Sequence, residues 1–150
     1  MKYIIYMIFL ISFSFGSTSA TNAAIALAQK GNYVEAFSLF NKACNQEGDA
    51  DGCLGVGLMY MYAVGTNGDH KKAMDYYKKA CSGGNALACS NLASIYDNGA
   101  ENIPQDRFMA SELYMVGCNG GDVFACNNLG YMYANGLGVE KDYFKSYRKG

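Results

Sequence analysis

At 150 residues, the chain has the length of one domain, and 51% hydrophobic against 17% charged residues is enough apolar material for a packed core. The net charge of −1 comes from interspersed Lys, Asp and Glu without a basic stripe, which excludes an electrostatic footprint for nucleic acid or anionic membrane surfaces. One proline, no tryptophan and 18 glycines fit a mainly helical chain with many short turns.

Residues 1–20 read as a secretory signal: Lys2, then the uncharged apolar run Tyr3–Phe15, then the small residues Gly16–Ala20. Cleavage is expected after Ala20, leaving residues 21–150 as a secreted or periplasmic protein with no membrane contact. The apolar run is short for a bilayer span. Ala23–Lys30 is expected to form a short first helix, and Gly31–Cys44 carries Tyr33, Ala36, Phe37, Leu39 and Phe40 on one helical face. Gly52–Ala63 (GCLGVGLMYMYA), Ala88–Gly99 (ACSNLASIYDNG) and Ala125–Gly136 (ACNNLGYMYANG) share one pattern. Gly57, Ala93 and Gly130 hold equivalent places in it, where a small residue lets a neighbouring helix approach. Asp69–Cys81 and Asp106–Cys118 are the second amphipathic stretches, with Asp69 and Asp106 placed as helix caps. Asn32, Asn67, Asn85 and Asn119 read as turn residues.

The six cysteines repeat on this same period. Cys44, Cys81 and Cys118 are 37 apart each time, and Cys53, Cys89 and Cys126 follow them by nine, eight and eight residues. A fixed period of this length marks stacked helix–turn–helix repeats. Each pair spans the turn from one unit to the next, so the spacing predicts disulfides Cys44–Cys53, Cys81–Cys89 and Cys118–Cys126. These gaps are too long for a zinc site, and neither metal nor cofactor is expected. The predicted fold is all-α: a right-handed solenoid with units near 23–49, 50–85, 86–122 and 123–150, stapled by disulfides. The last unit is shortened at Asp142–Gly150, which leaves an uncapped C-terminal edge for association.

The loops add Gly136, Gly138, Val139, Asp142 and Lys145, and more loosely Ala63, Gly65, Asp69, Lys72 and Ala73. With these residues the chain resembles Sel1-like repeats, relatives of the tetratricopeptide repeat. The unit from Gly99 to Ala110 departs by one extra residue and has Glu101 or Asn102 in place of the second glycine. The cysteine pairs and the leader are similar to the Helicobacter cysteine-rich protein family. That resemblance implies penicillin binding with weak β-lactamase activity, or a role as a protein-interaction scaffold.

The residues themselves favour the second. Ser146-Tyr147-Arg148-Lys149 has the S-x-x-K form of serine β-lactamases, but the S-D-N and K-T-G partners are missing from the chain. Tyr96 and Tyr133, in Y-x-N elements, occupy repeat-core positions. His70 is the one histidine, too few for a metallo-enzyme. With all cysteines paired, no thiolate nucleophile is expected. A concave groove is easier to argue. Asn91, Ser94 and Asn98 share one helical face, and Asn128, Tyr131 and Asn135 take the same positions one repeat later, with Gly55, Leu58 and Tyr62 one repeat earlier. Stacking is expected to align the asparagines into an amide ladder that grips an extended peptide, a cell-wall peptide or β-lactam, or a terminal carboxylate.

Overall fold

The structure is a computed structural model and describes residues 17–139. The apolar leader, the S-x-x-K tetrad and the second half of the fourth repeat lie outside the described residues. Seven helices and no strand form among the described residues. They divide into two compact units, Met1–Gly83 and Gly84–Gly150. In the first, α1 (Ser19–Gln29), α2 (Tyr33–Gln46), α3 (Ala50–Met61) and α4 (His70–Ser82) each pack on their chain neighbour. In the second, α5 (Ala86–Asn98), α6 (Arg107–Asn119) and α7 (Val123–Asn135) do the same.

Every described helix except α2 begins at a side-chain cap. Asp69 and Asp106 accept the backbone N–H of Lys72 and Met109, both at 2.9 Å. Asp49, Asp122 and Thr18 cap α3, α7 and α1 in the same way. Asn85, expected as a plain turn residue, caps α5 by accepting from Ala88 N at 2.8 Å. It stands one period from Asp49 and Asp122, and that equivalence was the available signal.

Two of these caps also tie one repeat to the next. In the first unit, Thr21 on α1 is fully buried and donates its hydroxyl to Asp49 at 2.7 Å. In the second, buried Ser90 on α5 donates to Asp122 at the start of α7. Burial without such a partner would cost the hydroxyl about 1–3 kcal/mol.

Tight helix contacts follow from the small residues. Phe40 is buried against Gly55, and Tyr77, 2% exposed, lies against Gly57. A Cβ at Gly57 would sit 2.6 Å from the Tyr77 ring. Gly57→Ala is therefore expected to destabilise the fold by about 2 kcal/mol, although alanine is the better helix former. Urea unfolding checks this; a stabilised variant would contradict the close packing. The second unit has its own core of Ala93, Ala110, Tyr114, Ala125, Leu129, Met132 and Tyr133, with Tyr96 packed on it. The two Y-x-N tyrosines are thus packing residues.

Cys44–Cys53 and Cys118–Cys126 are disulfides with Cα atoms 4.5 Å apart, each across one helix-to-helix turn. Cys81 and Cys89 are disulfide-bonded as well, and no described cysteine is free. In the irregular loop of the third repeat, it is Asn102 that takes the left-handed backbone (φ 60°) expected of the missing glycine. Asparagine tolerates that conformation better than other side-chain-bearing residues.

Candidate functional site

The second unit brings the predicted groove residues together. Asn91, Ser94 and Asn98 lie along α5 and Asn128, Tyr131 and Asn135 along α7, and both helices pack on α6 between them in sequence. Phe124, one turn before Asn128, extends the α7 stripe; the sequence reading missed it. It was legible there, because Phe124, Asn128, Tyr131 and Asn135 fall at i, i+4, i+7 and i+11. Phe124 is 52% and Tyr131 62% exposed, large apolar areas left uncovered in this unit.

The base of the face comes from α6. Tyr114 is buried, stacks edge-on against Phe124 with centroids 6.3 Å apart, and hydrogen-bonds Ser94 through its hydroxyl. Burial, with the nearby charges of Asp97 and Asp122, pushes this phenol up to about 12, against the pull of the Ser94 bond. Tyr114 therefore stays neutral, in a negatively polarised setting. Asp97 pairs with Arg107 Nε at 3.5 Å.

The asparagines do not form the expected ladder across helices. Asn98 donates Nδ2 to the Ser94 carbonyl at 2.8 Å, Asn128 to Phe124 O at 2.9 Å and Asn135 to Tyr131 O at 2.8 Å. Each amide bonds to its own helix four residues back, a partner always within reach of a short polar side chain. The fourth, Asn91, has a buried Nδ2 with no partner. One amide N–H of Asn98, Asn128 and Asn135 is thus taken up by its own helix rather than by a neighbouring repeat.

In the first unit the face does not recur through the equivalent residues. Gly55 and Leu58 are buried, and Tyr62 is the exposed one. The helix α3 is buried all round from Asp51 to Met59, so no face of it serves a ligand.

Catalytic chemistry gains no residue from this arrangement. Of the hydroxyls that meet carboxylates, Thr21 and Ser90 are buried within the fold and Ser17 is half-buried against Asp51. His70 stands exposed at the first position of α4. Among the described residues, no group of His, Cys, Asp and Glu is placed to hold a metal ion.

A Sel1 repeat family model matches residues 23–47, 50–85, 86–121 and 123–148. Among curated proteins, cytochrome c oxidase assembly factor 7 of Xenopus tropicalis is 44% identical over 80 residues, half of this chain and 34% of that protein. The Homo sapiens protein of the same name is 38% identical over 76 residues, 47% of this chain and 33% of that one. The chain thus spans about a third of the length of the curated relatives it matches. Among solved structures, a protective antigen of uropathogenic Escherichia coli displaying an SLR fold superimposes with a TM-score of 0.80 at 23% identity, covering 89% of this chain and 29% of that one. Helicobacter pylori cysteine rich protein B superimposes with a TM-score of 0.56 at 25% identity, covering 89% of this chain and 87% of that one.

Proposed function

This chain belongs to the Sel1 repeat family, and we propose that it works as a binding module holding an extended peptide segment of another protein on the α5–α7 face of its second unit. Sel1 repeat proteins are generally protein-interaction modules. The observation that carries the reading is the stripe of exposed Phe124, Tyr131 and Asn135 with half-buried Asn128, beside Ser94 and Asn98. Aromatic and amide groups at fixed helical spacing give a peptide both apolar contact and hydrogen bonds. The name shared by the curated relatives describes a part in assembling another protein, which agrees with a binding role.

On this reading the protein works in an oxidising compartment, outside the cytoplasm, with the paired cysteines as support. β-Lactam hydrolysis, the other activity implied by resemblance, has no residue in its favour among the described ones.

Selection of a phage-displayed peptide library on the oxidised protein tests the module. Enriched sequences are expected to bind the Asn128→Ala, Tyr131→Ala double variant about tenfold more weakly, with its thermal melt kept. Enriched peptides that bind this variant as well as the parent, or no enrichment at all, would defeat the reading.

A further inference from the structure

The sequence offers two places for a secretory leader to end, and the folded chain uses the four residues between them. Small residues one and three positions before the scissile bond mark a leader cleavage site. Thr18 and Ala20 meet that requirement for a cut after Ala20, and Ser14 and Gly16 meet it for a cut after Gly16. Both bonds follow closely on the apolar run Tyr3–Phe15.

Residues 17–20 take part in the first unit. Thr18 is the N-cap of α1, in extended backbone, and its hydroxyl accepts from Thr21 N at 3.3 Å. Its carbonyl accepts Asn22 N at 3.1 Å, in the first turn of the helix. Its own N–H points away from α1 and donates to Asp49 Oδ2 at 2.7 Å. Ser17 donates its hydroxyl to Asp51 Oδ2 at 2.6 Å. Ala20 is 7% exposed and belongs to the core. The two carboxylates stand at the start of α3, 31 and 34 residues along the chain from their donors.

A cut after Ala20 removes all of these contacts. The helix loses its cap and its first two residues, and Asp49 and Asp51 each lose a donor. Thr21, fully buried in the structure, becomes the first residue with the turn before it gone. A cut after Gly16 removes none of them. Hydrolysis of that bond consumes one water, leaving a carboxylate on Gly16 of the leader and an ammonium on Ser17. By covalent geometry the Ser17 nitrogen lies no more than about 6 Å from the Asp51 oxygen that its hydroxyl meets. Asp49 and Asp51 are both nearly buried, so the attraction between the new ammonium and this pair is weakly screened.

We infer that a leader peptidase of the exporting cell hydrolyses the Gly16–Ser17 bond, so that the mature protein begins at Ser17 and is stabilised by the four residues it keeps. The inference rests on reading the apolar N-terminal segment as a secretory leader, and it places the end of that leader four residues before Ala20.

The full 150-residue chain, expressed in an exporting bacterium and recovered from its periplasm and medium, tests this by intact mass and N-terminal sequencing. A mature product that begins at Ser17 is expected. A product that begins at Thr21 overturns the inference and keeps the leader reading, whereas an uncut chain overturns both. Gly16→Leu changes none of the residues in these contacts and puts a bulky side chain before the bond, so the Ser17 product should disappear. An unchanged product from that variant overturns Gly16 as the residue recognised.

Stability distinguishes the two starts in a second way. Oxidised proteins that begin at Ser17 and at Thr21, each released from a fusion partner with no residue added, are compared by urea unfolding. The folding equilibrium constant of the Ser17 form is expected to be at least about tenfold larger, from the cap and the two carboxylate bonds together. Equal constants overturn the inference, because the retained residues would then add nothing to the fold.

Discussion

Replacing Cys118 and Cys126 together by serine should lower the unfolding free energy by about 2.5 kcal/mol, and reducing every bridge should leave little stable protein at room temperature. The Cys44–Cys53 and Cys118–Cys126 bridges close loops of nine and eight residues. Cross-linking so short a loop removes about 2.5 kcal/mol of chain entropy from the unfolded state. All six cysteines are bridged, so reduction takes away roughly 7 kcal/mol, against a total stability of about 5–15 kcal/mol for a natural domain. The cores are slender, because a helix pair buries its apolar face only against the next pair. Alanine and glycine fill many of the contacts, as at Ala93, Ala110 and Ala125. Guanidinium unfolding followed by far-ultraviolet circular dichroism, with and without a phosphine reductant, measures both effects. An unchanged midpoint after verified reduction would show that the helices hold without their bridges.

The helical repeat was readable because three independent signals share its period: the cysteine pairs, the small residues and the caps. Asp69 and Asp106 could be placed as caps from their position alone, since capping is a local interaction. Asn85 was misread because asparagine serves turns and caps equally well. The groove was legible only as a face. That Asn91, Ser94 and Asn98 share one side of α5 follows from helical spacing, but where an amide points depends on competing partners at hydrogen-bond distance. For Asn98, Asn128 and Asn135 the helix carbonyl four residues back won. Gly55 and Leu58 failed for another reason: strict periodicity treats every repeat alike, whereas burial differs from one repeat to the next. Their helix α3 is buried on all sides, and no single-helix pattern carries that information.

The ties between repeats were not legible either, and one of them gives the fold a pH dependence. Asp49 is nearly buried and accepts hydrogen bonds from Thr18 N at 2.7 Å, Thr21 Oγ1 at 2.7 Å and Asp51 N at 2.9 Å. Burial alone would raise its pKa, but the bonds from Thr18, Thr21 and Asp51 outweigh it and hold the carboxyl below its usual value. A carboxylate depressed in the folded state stabilises the fold above the unfolded value, near 4, and this contribution is lost as pH falls through the folded one. Asp49→Asn is therefore expected to cost about 2 kcal/mol at neutral pH, where an amide group must face donors, and progressively less in acid. Denaturant unfolding of both proteins between neutral pH and about pH 3 reads the closing gap; a gap that does not close would remove the carboxylate from the account. Thr18 supplies one of those donors and also caps α1, while Ser17 donates its hydroxyl to Asp51 at 2.6 Å. A chain cut after Ala20 has neither residue. The same substitution should thus cost less in a protein that begins at Thr21 than in one that begins at Ser17, because fewer donors remain for the carboxylate to hold. Equal costs in the two would mean that Thr21 and the α3 backbone alone account for the charge on Asp49.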